Sequence, residues 1–200
     1  MGDIEKIIRF LLTQKHFPGW KISIATAAAQ NLNLEIKFNN KKELLSSYNE
    51  YVTTLLFNTL AEPNISALRS TSQKIQAALE RRIDILDQWK DAEKEAIQST
   101  DTLNQLKYSA LLSDKIWKWA GDTSTDYNFY TKRLILGGII ISSQLFWLED
   151  TSKNSEKTKK FIQNRIEETA LIGTIKKEFR EHTKELHPIF KAIKDTYFTS

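Results

Sequence analysis

The chain has 200 residues, which suits one domain or one domain with a short appendage. Its six glycines and three prolines are less than half of the roughly 12% that these residues contribute on average. That scarcity favours long helices over a β-rich fold, which needs frequent turns. The chain has no cysteine, which excludes disulfides, thiolate metal sites and cysteine nucleophiles and fits a reducing compartment.

The net charge of +4 is concentrated near the C-terminal end. Residues 1–64 carry 7 basic and 6 acidic side chains, and residues 65–152 carry 11 and 12. Residues 153–200 carry 11 and 7, so the surplus lies in the last quarter of the chain. A mild excess in this position is weak support for a nucleic-acid partner.

The pattern of apolar residues predicts no membrane span and no targeting signal. The start, MGDIEKIIRFLL, contains acids and no long apolar run. The longest apolar stretch, residues 134–148, would span roughly 22 Å as a helix, short of the ~30 Å hydrocarbon core. We expect a bacterial cytoplasmic protein, peripheral to the inner membrane. The alternative is the mitochondrial matrix side for a processed eukaryotic form.

Apolar residues recur at helical spacing along the whole chain, which predicts an all-α fold. Residues 1–62 are predicted to form a three-helix unit that ends at Pro63-Asn64, and residues 63–173 a helical core. Within the core we expect helices over 66–89, 101–120, 126–148 and 156–172. Gly173 is predicted to cap the last of these. Helix 126–148 is apolar nearly all round after Arg133 and is predicted to be central.

No catalytic constellation is apparent, so we expect a protein that is not an enzyme and that has neither cofactor nor metal. The histidines, His16, His182 and His187, lack the Glu-x-x-His spacing of di-iron bundles. Nucleophile-elbow, phosphate-loop and dinucleotide motifs are also missing. Acidic pairs such as Glu93/Glu95 are interpreted as part of a solvated helix face.

Residues 20–52, WKISIATAAAQNLNLEIKFNNKKELLSSYNEYV, resemble a TetR-type helix-turn-helix. However, only six residues, Leu32–Lys37, separate Asn31 from Phe38, and three of the six are Leu or Ile. A recognition helix of that length and composition cannot fill a major groove. We therefore expect no nucleic-acid binding. A TetR-type regulator that senses a hydrophobic ligand is the alternative function.

Aromatic and charged residues crowd into Ser113–Arg133, SDKIWKWAGDTSTDYNFYTKR. Gly121–Thr125 is rich in turn and capping residues, so one helix should end and the next begin there. Phe129 and Tyr130 are adjacent and point about 100° apart on a helix, so at least one should face outward. An exposed aromatic beside Asp126 and Arg133 resembles an interface hot spot.

The same stretch is similar to the signature of a known family. WAGDTSTDYNFYTKR resembles the pattern W-x-x-AGD-x-STD-x-N-W-Y-T-R-R of the ubiquinone (coenzyme Q) biosynthesis accessory proteins, ninth of the Coq series. The match runs from Trp117 to Arg133, with Phe129 and Lys132 in place of the usual Trp and Arg. Weaker similarities surround Trp20, Arg82 and Trp147. The chain is identified as a member of this family, of α-proteobacterial type.

The resemblance implies a TetR-like, dimeric, non-catalytic protein that holds isoprenoid lipid or quinone. Such a protein presents a polyprenylated demethoxy-quinone intermediate to the di-iron hydroxylase of the pathway at the membrane. The signature places a hydroxylase-docking patch at Asp114, Ile116, Trp117, Phe129, Tyr130 and Arg133. Because Gly137-Gly138 can form a groove in an apolar helix, we expect the lipid contacts on that helix, at Ile135, Gly138, Ile139 and Ser142.

Residues 174–200 are predicted to form an amphipathic helix that Pro188 kinks or splits. One face is basic and the other apolar, which fits a helix lying in a membrane interface. A surface helix packed on its own domain or on a dimer partner would show the same pattern. The expected membrane-contacting residues are Ile175, Phe179, Leu186, Phe190 and Ile193.

Overall fold

The computed structural model describes residues 2–125 and 127–179, and this part of the chain is helical without a β-strand. The all-α prediction is therefore confirmed. The helices are α1 (Asp3–Leu12), α2 (Ile22–Asn31), α3 (Lys41–Leu60), α4 (Pro63–Ser66), α5 (Thr71–Leu86), α6 (Lys90–Ser99), α7 (Thr102–Trp119), α8 (Tyr127–Glu149) and α9 (Glu156–Phe179). Short 3-10 turns cover Asp87–Trp89 and Lys153–Ser155.

The first three helices pack together. α1 buries Ile7, Ile8 and Leu11 on one face, and it packs against both α2 and α3. Asn40 is the N-cap of α3, and its side chain accepts a 2.9 Å hydrogen bond from the Glu43 amide. Between α2 and α3, residues 32–40 form no helix, so the place of a recognition helix is taken by a non-helical connection.

The N-terminal helices are joined to the rest of the fold through a buried tryptophan. Trp20 is 0% exposed, and its indole Nε1 donates a 2.8 Å hydrogen bond to the Ala92 carbonyl of α6. Its backbone N–H donates to the Glu95 carboxylate at 2.9 Å. The Trp20 ring also packs 4.6 Å from the Tyr48 ring of α3, centroid to centroid. Because these contacts cross between segments, the N-terminal unit shares its core with the later helices.

Three expectations about the helices were wrong. The predicted helix 66–89 is shorter in the structure, where α5 covers only Thr71–Leu86, and a separate helix, α6, follows it. α6 was missed because KDAEKEAIQS offers only two alanines and one isoleucine as an apolar signal. The predicted cap at Gly173 is also wrong, since α9 continues to Phe179. A helical glycine costs about 1 kcal/mol relative to alanine but ends a helix only where the backbone turns left-handed.

The third wrong expectation concerns α8, which is not buried on all sides. It runs against α7, with the Ser113 hydroxyl donating to the Arg133 carbonyl at 3.0 Å. However, Leu134, Leu145 and Phe146 of α8 are exposed, as are leucines of α7. The exposed leucines of this pair, here called the α7–α8 leucines, are Leu103, Leu106, Leu111, Leu134 and Leu145. None of the helices within the described residues has the length and apolar content that crossing a bilayer requires.

Candidate functional site

The candidate site lies where α7 ends and α8 begins. Gly121 adopts a left-handed conformation, with φ of +92°, and its amide bonds to the Lys118 carbonyl at 3.1 Å. The Asp122 amide bonds to the Trp117 carbonyl at 2.9 Å, which completes a Schellman motif. The predicted turn at Gly121–Thr125 is therefore confirmed. It brings the last turn of α7 beside the first turns of α8.

Arg133 is the centre of the site. Its side chain is 3% exposed, and its Nε donates a 2.7 Å hydrogen bond to Asp114 Oδ1. Its Nη1 donates to Asp122 Oδ2 at 3.0 Å and to the Phe129 carbonyl at 3.1 Å. A buried guanidinium needs carboxylate partners to compensate for its lost hydration, and here the two carboxylates supply them. The planar fork of donors also fixes α7 and α8 relative to each other.

The carboxylate of Asp122 collects donors from both sides of the turn. Lys132 Nζ approaches it at 2.5 Å and the Ser124 hydroxyl at 2.7 Å, in addition to Arg133. Burial by itself would raise the pKa of Asp122. The hydrogen bonds from Lys132, Ser124 and Arg133 outweigh that effect and lower the pKa to about 2. Asp122 is therefore anionic at physiological pH, and the turn is fixed by charge-assisted bonds.

Three partly exposed aromatic side chains, Trp117, Phe129 and Tyr130, lie beside these ion pairs. The Trp117 indole donates a 3.0 Å hydrogen bond to the Lys132 carbonyl. The Phe129 and Tyr130 rings meet edge to face, with their centroids 5.1 Å apart. The Arg133 guanidinium lies 3.4 Å from the Phe129 ring centroid, in cation–π contact. We call Trp117, Phe129, Tyr130 and Arg133 the α7–α8 cluster.

The region around α7 and α8 matches a known protein family. The family model described as COQ9 matches residues 103–173, which contain all of α8 and almost all of α7. Residues 103–173 belong to the COQ9 family. The α-proteobacterial type within this family stays a prediction.

Curated relatives extend the similarity beyond the matched region. The chain is 30% identical over 175 residues to "Ubiquinone biosynthesis protein COQ9, mitochondrial" of Xenopus tropicalis, covering 80% of this chain and 55% of the relative. The human protein of the same name is 26% identical over 177 residues, covering 81% and 56%. The Schizosaccharomyces pombe protein is 30% identical over 124 residues, covering 60% and 50%. The chain therefore spans about half the length of these COQ9 relatives.

The structure brings the residues of the predicted COQ9 docking patch together but exposes only some of them. Trp117, Phe129 and Tyr130 are partly exposed. Asp114, Ile116 and Arg133 are buried, with Ile116 0% exposed. In this arrangement the buried three support the surface from below. Asp126 lies outside the described residues.

The predicted lipid-contacting residues lie on α8 but do not share one environment. Ile139 is buried, Ile135 and Ser142 are partly exposed, and Gly138 is exposed. A methyl group added at Gly137 would lie 3.6 Å from the Ser109 hydroxyl oxygen, an ordinary van der Waals contact, so the packing of α7 on α8 leaves room for a side chain there. A groove elsewhere, between α3 and α7, has a volume of about 360 Å³ and includes none of the four residues. Their role in lipid binding stays a prediction.

The predicted membrane-contacting residues lie at or beyond the end of the described chain. Ile175 and Phe179 belong to the last turns of α9. Leu186, Phe190 and Ile193 lie outside the described residues. Among the residues that are described, no group of three or more metal-ligating side chains is found.

A buried polar network around Glu93 was missed, and its assignment to a solvated face was wrong. Glu93 is 2% exposed and accepts a 2.5 Å hydrogen bond from the Tyr48 hydroxyl. It also accepts bonds from Arg82 and Gln144. Burial and the neighbouring Glu93 carboxylate raise the pKa of Tyr48 well above its ordinary value. The partners are far apart in sequence, so helical periodicity carries no signal of this network.

Glu95, the other member of that acidic pair, also has a structural partner. Its carboxylate accepts a hydrogen bond from the Trp20 backbone N–H, and its Oε1 lies 3.5 Å from Lys41 Nζ. The Glu93/Glu95 pair therefore connects α6 to the N-terminal helices.

Proposed function

We propose that this chain is a non-catalytic, lipid-binding accessory protein of ubiquinone biosynthesis. In this proposal it presents a polyprenylated demethoxy-quinone intermediate to the di-iron hydroxylase of the pathway at the membrane. The COQ9 relatives are named ubiquinone biosynthesis proteins, which supports the pathway. A polyprenyl tail is too apolar to leave a bilayer unaided, so a surface enzyme gains from a partner that extracts and orients it.

The observation that carries the proposal is the α7–α8 cluster. Partly exposed aromatic rings held by a buried arginine are typical of protein-binding surfaces, because they offer large apolar area at low entropic cost. Asp114 and Arg133 position these rings, while Trp117, Phe129 and Tyr130 supply the contact. The cluster is thus suited to dock the hydroxylase.

The lipid, membrane and dimer contacts of the proposal are supported by apolar surface. The α7–α8 leucines expose apolar side chains to solvent, and Leu103 is 62% exposed. Exposed apolar surface of this kind marks contacts with membranes or other subunits. The basic residues of 174–200 would add attraction to anionic lipid, at up to about 1 kcal/mol each near the surface.

Two measurements test the proposal. Lipid extracted from the purified protein should contain isoprenoid quinones by mass spectrometry. Tyr130→Ala should weaken co-purification of the hydroxylase at least about tenfold, because hot-spot aromatic residues contribute about 2 kcal/mol or more. Phe146→Ala is the matched control, since Phe146 is an exposed aromatic elsewhere on α8. Loss of thermal stability in Tyr130→Ala, or unchanged association, would contradict the assigned role.

The structure does not favour a TetR-type regulator. Residues 32–40 form no helix, so α2 and α3 have no recognition helix between them. A sequence-specific regulator needs such an element in the major groove. Tight, specific binding of any duplex at moderate salt would overturn this conclusion.

A further inference from the structure

A groove with an apolar floor runs between α3 and α7. Its volume, about 360 Å³, is in the lower part of the range of about 300–1,000 Å³ that small-molecule sites occupy. Leu45 of α3 and Leu112 of α7 are buried residues that line it. Tyr108 is half-buried and Leu111 is exposed along the same groove. These side chains offer apolar surface that the described residues leave open.

The rim of this groove is basic. Its charged lining residues are four lysines and two acids: Lys41, Lys42, Lys107, Lys115, Glu50 and Asp101. Lys41 is engaged 3.5 Å from Glu95. Lys42 and Lys115 are exposed, and neither forms a salt bridge with any part of the chain that the structure describes. Positive charge therefore exceeds negative charge along an apolar floor, which is the complement of an anionic amphiphile.

The inner end of the groove limits how such a ligand can lie. Asn49, Thr100 and Tyr108 also line a chamber of about 40 Å³, whose wall includes the buried Glu93. A chamber of that volume holds water rather than a head group. The Glu93 carboxylate would also repel an anion. An acidic head would therefore stay at the lysine rim, with the apolar chain on the leucine floor.

We propose that the α3–α7 groove binds a single-chain carboxylic amphiphile of fatty-acid size. The volume suits one chain and is too small for both chains of a phospholipid. This ligand is distinct from the neutral polyprenylated quinone of the proposed function, so either site can exist without the other. Lys42 lies in the first turn of α3 and Lys115 near the end of α7, so these two lysines mark different parts of the rim.

The full chain can be tested with dansyl-undecanoic acid, a fluorescent fatty acid. Laurate should displace this probe at concentrations about tenfold lower than dodecanol, because only laurate is attracted to the lysines. At low salt, Lys42→Glu or Lys115→Glu should weaken laurate binding about fivefold, whichever lysine is nearer the head group. Lys157→Glu is the control, since Lys157 is an exposed lysine on α9 outside the groove.

A second variant tests the groove by filling it. Ser46 is exposed and lines the groove, so Ser46→Trp should abolish probe binding. Asn164→Trp, at an exposed position of α9, should leave it unchanged. If Ser46→Trp lowers stability, the lysine variants still test the proposal, because Lys42 and Lys115 are exposed and their replacement leaves the core intact. Absent probe binding, equal displacement by dodecanol, or unchanged laurate binding in both lysine variants would each overturn the proposal.

Discussion

Arg133 is the residue on which the α7–α8 turn depends. Its guanidinium forms ion pairs with Asp114 and Asp122 and lies against the Phe129 ring. Removing one member of a buried ionic group leaves the others uncompensated, which costs more than the net stabilisation of the intact group. The signature residue at this position therefore has a structural role that is distinct from direct contact with a partner.

Replacing Arg133 tests that role. Arg133→Met should lower the free energy of unfolding by about 3–5 kcal/mol, because Asp114 and Asp122 each lose a buried cationic partner. The cations that remain beside them, Lys118 and Lys132, are more exposed than Arg133 and compensate for buried charge less well. Arg165→Met should cost less than about 1 kcal/mol, since Arg165 forms an exposed pair with Glu168. Urea denaturation measures both variants. Similar values for the two arginines would show that the Arg133 network is not a stabilising element.

The lowered pKa of Asp122 predicts a dependence of stability on pH. Its folded pKa of about 2 is below its ordinary value of 3.8, so the stabilisation is fully present above about pH 4. It is lost as the pH falls through about 2. The difference in urea midpoint between the wild type and Asp122→Asn should therefore shrink between pH 4 and pH 2. A difference that stays constant over this range would contradict the assignment.

At the scale of elements, the glycines show how one residue type acts differently in a turn and in a helix. Gly121 has a positive φ and ends α7, whereas Gly138 lies within α8. No atom lies within 4 Å of a methyl group added at either position. Any difference between alanine variants at the two positions therefore reports backbone conformation alone.

The two alanine variants should change stability in opposite directions. Gly121→Ala should cost about 1 kcal/mol or more, because an L residue is strained at positive φ. Gly138→Ala should gain up to about 1 kcal/mol, because alanine is the better helix former. Thermal unfolding followed by circular dichroism measures both. Two changes of the same sign would contradict this account of the turn.

At the scale of the whole molecule, α6 is the joint between the N-terminal helices and the rest. Trp20 donates hydrogen bonds to the Ala92 carbonyl and the Glu95 carboxylate of α6. The Tyr48 hydroxyl donates to the Glu93 carboxylate of the same helix. Burial of a tryptophan and of the hydrogen-bonded Tyr48–Glu93 pair couples the two parts energetically. We therefore expect the described helices to unfold as one unit.

That cooperativity can be measured. The wild type should show one transition, with coincident near-UV and far-UV circular dichroism. Trp20→Ala should lower the free energy of unfolding by about 3–5 kcal/mol through the cavity it leaves. Two separated transitions in the wild type would show instead that the N-terminal unit folds independently.

Sequence reasoning identified the parts that depend on local signals. The helical class, the helices α1 to α3 and the turn at Gly121 follow from apolar spacing and capping residues. α6 could not be inferred from its weak apolar pattern, and the burial of Glu93 depends on Tyr48 and Arg82, which are distant in sequence. The pairing of Arg133 with Asp114 and Asp122 likewise needed the antiparallel packing of α7 on α8.

The uninterrupted course of α9 past Gly173 has a mechanical consequence. A continuous α-helix turns by about 100° per residue, so adding one residue rotates everything after it about the helix axis as well as moving it along that axis. Ile162 and Ile166 are buried against the core, and they set the angular phase of the whole helix up to Phe179. A single-residue insertion after Ile166 would therefore rotate Lys176 and Lys177 by about a quarter turn relative to the core, while extending the helix by only about 1.5 Å.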